Sequence, residues 1–333
     1  MTKRSCIRVK VWQIEKLGEP QDVLALKELQ RPTPKSGEVL VKNEGAALNF
    51  FDILQCQGKY QEKPELPFTP GAEIAGIVEV EQDTSFKKGQ RVLATPLLPN
   101  GGLAEWVVVK EEDVFLIPDE LSFTEAAAFF ITYQTAYFAL HRSGRIKSDD
   151  VVLVHAGAGG VGSAAIQLAK AVGAYVIATA GSEEKIEICQ KLEADVVINY
   201  RTEDFVDIVK SKTNGKGADI IFDPVGGDTF DKSRKCIAFE GRILAIGFAG
   251  GRIPELPVNH ALIKNYSLVG VHFGLFRKLY PAEVQKAHQQ LMELVVAGKI
   301  RPLLYKEYLF EEVPTALDEL ADRKTYGKLV VVP

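Results

Sequence analysis

Residues 151–185 read VVLVHAGAGGVGSAAIQLAKAVGAYVIATAGSEEK, and the fold is decided there. An apolar run, Val151–Val154, ends at a glycine turn in which Gly157, Gly159 and Gly162 match G-x-G-x-x-G. A segment of helical period follows, with Val161, Ala165, Leu168, Ala169 and Val172 on one face. A second apolar run, 175–179, completes a βαβ unit. Glycines in this pattern serve a tight turn, the approach of backbone to a pyrophosphate, and close packing of helix on strand. The phosphates then rest on free N–H groups at the positive end of the helix. The stretch predicts a dinucleotide site.

The end of the second strand bears on which dinucleotide. An NAD site usually carries Asp or Glu about 20 residues after the first glycine, bonded to the ribose 2′-hydroxyl. Here that place reads Ala178-Thr179-Ala180-Gly181-Ser182, without a carboxylate. Ser182 is a good N-cap, and Glu183 and Glu184 suit a first helical turn. Lys185 follows, within reach of the same pocket. A small uncharged pocket beside a cation favours NADP over NAD, although a solvated surface lysine would read the same way.

At 333 residues the chain is long enough for two domains. Its 46% hydrophobic and 25% charged content is that of an ordinary globular protein. A net charge of −4 and a pI near 5.9 argue against nucleic acid, RNA included, or an anionic membrane as the main partner. No apolar run reaches the 18 or so residues of a membrane span. Cys6, Cys56, Cys189 and Cys236 are scattered, with no C-x-x-C and no disulfide framework, which fits a reducing compartment. The basic start, MTKRSCIRVKVWQIEK, alternates like a strand over 7–12. A first strand and a cytoplasmic location are expected, with the mitochondrial matrix as the alternative.

The chain to about residue 125 reads as β-rich. Short runs at 38–42, 74–80, Arg91–Ala94 and 104–109 are separated by turns rich in Gly and Pro. A helix pattern covers 124–142. After the βαβ unit the alternation continues: strand Val196–Asn199, helix 205–213, then strands at 220–223, 242–245 and 267–271. This implies a doubly wound parallel sheet. A long helix, 283–297, is followed by short strands up to 329–332. If the tail returns to the first domain, the fold is α/β with residues 1–129 and 276–333 forming a β-rich domain. Residues 130–275 then form an inserted nucleotide-binding domain.

Several stretches together resemble one family. They are Asn49-Phe50-Phe51-Asp52, Gly58 through Pro64, Pro67-Phe68-Thr69-Pro70-Gly71, Tyr133-Gln134-Thr135-Ala136, 156–162, Asp223 through Asp228, and Gly241-Arg242 with 247–251. In this order and spacing, essentially end to end, the chain resembles the medium-chain dehydrogenase/reductase superfamily. The branch it resembles is that of zinc-free, zeta-crystallin-like quinone oxidoreductases. That resemblance implies a GroES-like domain beside a Rossmann domain, NADPH as cofactor, and a homodimer or homotetramer. It implies that Lys185 and Tyr200 grip the 2′-phosphate, with Arg323 reaching the same end. Gly157, Gly159, Gly160, Val161, Gly162, Gly181 and Ser182 would line the dinucleotide, and Thr135, Phe248 and Ala249 would flank the nicotinamide. Phe273-Gly274 would close over it. Asn49, Asp52, Tyr60 and Tyr133 would line the acceptor cleft. Asp52 reads equally as a turn cap, and Phe248 equally as core.

Zinc-dependent relatives of this type need Cys, His and a further Cys or acid around a catalytic metal. This chain has Asn49 and Ala72 at the first two of those positions, and no cluster of four cysteines between 91 and 102. Tetrahedral N/S coordination therefore has no donors. His141, His155, His260, His272 and His288 share no ligand spacing, and Cys56 reads as an inert buried thiol. Without a Lewis acid, acceptors that already welcome hydride are expected: quinones, or double bonds conjugated to a carbonyl. The rivals are a 2-alkenal or enoyl-thioester reductase, and a crystallin-like or regulatory NADPH-binding protein with little turnover.

Overall fold

The computed structural model describes residues 7–333; the basic start and Cys6 lie outside the described residues. The chain divides into two compact units, the first running through Phe130 and resuming at Arg301–Pro333, the second comprising Ile131–Ile300. This corrects the expected boundary at 276. The helix Pro281–Val296 buries Val284, Ala287, Leu291 and Val295. It is tied to the second unit by Gln134, whose Nε2 donates to the Val284 carbonyl at 3.2 Å, and by a Tyr137–Gln290 hydrogen bond.

In the first unit β1 (Arg8–Ile14) pairs antiparallel with β2 (Leu24–Gln30). Then come β3 (Glu38–Ala47), β4 (Ile74–Gln82), β5 (Arg91–Ala94), β6 (Trp106–Lys110) and β7 (Val114–Leu116). Alternating apolar residues such as Val39/Val41, Val92/Ala94 and Val107/Val109, most of them β-branched, are buried in one apolar core. In the second unit lie β8 (Val151–Val154), β9 (Tyr175–Ala180), β10 (Val196–Asn199), β11 (Ala218–Asp223), β12 (Ile237–Ala245) and β13 (Ser267–Gly270). All pair in parallel, in the order β10-β9-β8-β11-β12-β13. The order reverses beside β8, and α/β sheets bind their ligands at such a switch point.

The tail returns to the first unit with β14 (Leu304–Leu309) and β15 (Lys328–Val332), giving the order β14-β15-β3-β4-β5-β7 with β6 on β3. A helix the sequence pattern did not suggest, Val313–Ala321, stands between β14 and β15. It buries Val313, Ala316 and Leu317, a short i, i+3, i+4 stripe easily taken for strand alternation. The Rossmann helix, Gly160–Val172, also departs from expectation. Every residue from Gly162 to Ala169 is buried, so it has no polar face. Strands β8 and β9 cover one side and the helical turn 138–143 the other.

Candidate functional site

The glycine turn after β8 allots its roles differently from the sequence reading. The left-handed residue is Ala156, at φ 51°, and none of the three motif glycines has positive φ. Gly157 and Gly162 are glycines for want of space. A Cβ on Gly157 would meet Cys189 Sγ at 2.9 Å and Ala178 Cβ at 3.0 Å. On Gly162 it would lie 2.2 Å from the Ala156 carbonyl oxygen, and on Gly159 3.2 Å from the same atom. Gly159 caps the helix, and Gly160, Val161 and Gly162 form its first turn, where N–H groups lack intrahelical acceptors. That is an anion cradle.

Beyond β9, Ser182 caps the helix Glu183–Lys191, its hydroxyl accepting from the Lys185 N–H at 3.4 Å. Tyr200 lies across Gly181, where a Cβ would stand 2.5 Å from the phenol oxygen. Lys185 is half-buried, and burial pulls its ammonium below the usual lysine range. Glu184 opposes this, and the Arg201 guanidinium adds to it. Gly181, Ser182, Lys185 and Tyr200 are thus brought together, and Arg201 joins them as a second cation. The sequence reading missed Arg201 because an arginine at a strand end looks like solvated surface. Arg323 lies in the first unit, at φ 57°, just past the helix that ends at Ala321.

Elsewhere in the second unit Thr135 is buried, and Phe248 is 46% exposed, so Phe248 is not core. Ala249 follows it, its N–H bonded to the Pro224 carbonyl. Phe273 stacks on Phe138 at 5.7 Å between ring centres, and Gly274 follows it at the start of a short helix. Tyr133 departs from its expected place in a cleft. It is 1% exposed, and its hydroxyl accepts from Gln167 Nε2 at 2.8 Å inside the second unit. With apolar residues only before it, at 129–131, and polar ones around it at Thr132, Gln134 and Thr135, its neighbours in sequence gave no means of telling which way it would face.

In the first unit the helix Phe50–Cys56 carries the other candidates. Asn49 caps it, and its N–H donates to Asp52 Oδ2 at 2.7 Å, so Asp52 closes a capping box. Burial pushes the Asp52 carboxyl up to about 7, against the Asn49 N–H and nearby Lys328, which hold it down. Tyr60 stacks on Phe51 at 5.4 Å, and burial raises its phenol, which therefore stays a hydrogen-bond donor. The Cys56 thiol is fully buried and pushed up to about 12, as an inert cysteine should be.

One residue of this site escaped the sequence reading altogether. Lys328, only 5% exposed, donates to the Leu48 carbonyl at 2.8 Å, Asn49 Oδ1 at 2.6 Å and Glu73 Oε1 at 2.7 Å. Asn49 Nδ2 donates to the same Glu73 oxygen at 3.0 Å. An ammonium can only donate, so the Asn49 carbonyl must face it, and the amide orientation follows from chemistry. A cation is therefore already built into this corner of the protein. Among the described residues, no group of three or more His, Cys, Asp or Glu side chains is placed to hold a metal ion.

Two family models cover most of this architecture. One, described as an alcohol dehydrogenase GroES-like domain, matches residues 35–119; the other, described as a zinc-binding dehydrogenase, matches residues 160–293. A quinone oxidoreductase-like protein 2 homolog of Nematostella vectensis is 40% identical over 299 residues, covering 89% of this chain and 82% of that protein. The chain belongs to the quinone oxidoreductases of the medium-chain dehydrogenase/reductase superfamily. As a member of that family it is an oxidoreductase, and the GroES-like and Rossmann units match the resemblance read from the sequence. A mycobacterial structure complexed with NADPH superposes with a TM-score of 0.90 at 30% identity, covering 98% of this chain and all of that one. The CurK enoyl reductase structure gives 0.88 at 28%, covering 98% and 99%. The zinc in one model's description finds no fitting donors here, with Asn49 and Ala72 at the ligand positions and an ammonium bonded to Glu73 and Asn49. No helix among the described residues is long and apolar enough to cross a membrane.

Proposed function

We propose that the protein is an NADPH-dependent, zinc-free reductase that transfers hydride to quinones or other conjugated carbonyl acceptors. The observation that carries the cofactor half is the pair of cations, Lys185 and Arg201, beside Gly181 and Tyr200, where β9 ends without a carboxylate. The Arg201 guanidinium disfavours the Lys185 ammonium, and a dianion such as a 2′-phosphate would suit both cations. The NADPH-bound mycobacterial relative supports the same reading.

The bound nucleotide would supply the hydride. This chain's residues would orient it and the acceptor, and proximity would do most of the work. Tyr60, kept protonated by burial, and the Asn49 amide would donate to the oxygen that gains charge, and water would supply the proton. With no zinc to stabilise an alkoxide, acceptors that become hydroquinones or enolates suit the site better than simple carbonyls. The test is a steady-state screen with NADPH across naphthoquinones, 2-alkenals and enoyl thioesters. Turnover confined to enoyl thioesters would favour the function named for CurK. Tight NADPH binding with no oxidation by any acceptor would favour a crystallin-like or regulatory role.

Cofactor choice has its own expected result. Hydrogen bonds to charged groups contribute about 1.5–3 kcal/mol each, so two of them give roughly 10²–10⁴-fold preference for NADPH in kcat/KM. Exposure should place the ratio at the low end of that range. Lys185→Glu should bring the NADPH/NADH ratio close to one or below it. A wild-type ratio near one would remove the assignment, and so would a large ratio that the substitution leaves unchanged.

A homo-oligomer is also expected, through the β13 edge of the second unit. Among the described residues this strand closes the sheet with one side of its ladder unpaired, and the helix before it, Val258–Lys264, buries none of its residues. Leu262 and Ile263 are 79% and 74% exposed. A two-fold axis would let a second copy complete both ladders with identical apolar residues. Light scattering should find a dimer or tetramer in the wild type and a smaller species in Leu262→Lys/Ile263→Asp. A monomeric wild type would overturn this reading.

A further inference from the structure

We propose that the buried Lys328–Glu73 pair is the positioning device of the acceptor site, fixing the Asn49 amide so that one of its N–H groups stays directed to substrate. The inference rests on the reading above that Asn49 meets the acceptor. All three ammonium hydrogens of Lys328 are engaged, by the Leu48 carbonyl, Asn49 Oδ1 and Glu73 Oε1. Glu73, 1% exposed, takes one Asn49 Nδ2 hydrogen at 3.0 Å, on the same oxygen that meets the ammonium. The other Nδ2 hydrogen has only a 3.5 Å contact with the Ala47 carbonyl. A free asparagine amide can turn end for end at little cost, and the turned form would present an acceptor to an oxygen gaining negative charge. Here that turn would set an NH₂ against an ammonium and a carbonyl oxygen against a carboxylate, so it is forbidden.

The backbone is arranged to hold Lys328 in place. Its N–H donates to the Leu303 carbonyl at 2.8 Å, and the Leu48 N–H donates to the Leu329 carbonyl at 2.9 Å. Gly327 has φ 48°, and a Cβ there would lie 2.2 Å from the Leu303 oxygen, so only glycine lets β15 begin so close. A buried ion pair is a poor source of stability compared with apolar packing of the same volume. Its presence at the cap of the helix that carries the candidate site points instead to a directional role. Asp52 feels the same charge, since Lys328 is one of the groups that hold its carboxyl down.

Removing Lys328 alone takes from the buried Glu73 carboxylate the ammonium it meets, which can unfold the unit. The informative variant is therefore Lys328→Met/Glu73→Gln, which removes both charges together. NADPH affinity should remain that of the wild type, because the glycine turn, Lys185 and Tyr200 lie in the other unit and Arg323 is left in place. The kcat/KM for a naphthoquinone should fall about 10- to 100-fold, as expected for a slightly misplaced polar group. Asn49→Ala should lower kcat/KM in the wild-type background and add little in the double variant, because a misoriented amide has nothing left to lose. Wild-type kcat/KM in the double variant would overturn the proposal, as would equal Asn49→Ala losses in both backgrounds. A readout independent of turnover and of variant folding is the Asn49 side-chain amide in the ¹⁵N–¹H spectrum of the wild type, assigned by its loss in Asn49→Ala. The hydrogen held by Glu73 should exchange with solvent much more slowly than that of a free side-chain amide, and free-amide exchange at both hydrogens would overturn the device. If that spectrum is as expected but Asn49→Ala leaves quinone turnover untouched, the role of Asn49 at the acceptor is what fails, and the locked amide stands.

Discussion

Gly159→Val should lower NADPH affinity about 10²–10⁴-fold while residues 131–300 stay folded. The cost is that of displacing about two charge-assisted hydrogen bonds, at roughly 1.5–3 kcal/mol each. At Gly159 the nearest obstacle to a Cβ is the Ala156 oxygen at 3.2 Å, a contact that a small shift relieves. The valine methyls would then fill the space in front of the helix start, where the phosphates would sit. Gly162 makes the contrast. A Cβ there would stand 2.2 Å from the same backbone oxygen, and no rotamer escapes that. Gly162→Ala should therefore destabilise the second unit by about 1–3 kcal/mol or more, as overpacking does. Calorimetric titration with NADPH beside thermal melts separates the two effects. Retained affinity in a folded Gly159→Val variant would mean that the phosphates bind elsewhere.

The second large effect is an opposite response of the two units to pH. Burial raises Asp52 from an ordinary 3.8 to about 7, so the folded first unit prefers the protonated acid. That preference is fully present below pH 4 and is lost as pH rises through 7, where ionisation costs the folded state up to about 4 kcal/mol. His155, in the second unit, is 1% exposed and held between Thr179 Oγ1 at 3.0 Å and Ser233 Oγ at 2.8 Å. Burial lowers it from 6.5 to about 4. Its neutral form favours folding above pH 6.5, and up to about 3 kcal/mol of that is lost as pH falls to 4. Both tryptophans, Trp12 and Trp106, lie in the first unit, so urea unfolding followed by their fluorescence reports that unit. Asp52→Asn should abolish the part of its stability loss that falls between pH 4 and 8. If wild type and Asp52→Asn keep a constant difference across that range, Asp52 does not titrate as described.

The second unit was legible because its signals are local. Glycine spacing, strand length and helix period all act within about thirty residues, and β8 through β13 fall near where those signals put them, although β12 begins at Ile237 rather than 242. The region proposed to meet the acceptor was half legible. The motif residues Asn49, Asp52 and Tyr60 do gather around the helix Phe50–Cys56, but their ordering group did not show. A lysine opening a strand reads as an exposed gatekeeper, and nothing local distinguishes Lys328 from Lys324. What buries it is a partner 255 residues away, and no periodicity carries that information. Tyr133 and the helix Val313–Ala321 failed for a related reason, since short apolar patterns do not say which side will be covered.

The same long separation has a consequence during biosynthesis. Residues 131–300 are contiguous and can fold as soon as they emerge, whereas the first unit waits for its second segment. Until β15 arrives, Ala46 and Ala47 at the end of β3 have no partner on the edge that β6 covers further back, and Glu73 has no cation. A nascent chain stalled before residue 328 should therefore hold a finished nucleotide-binding half beside an open sheet with an uncompensated carboxylate. That open sheet is the surface a chaperone or a protease would meet first.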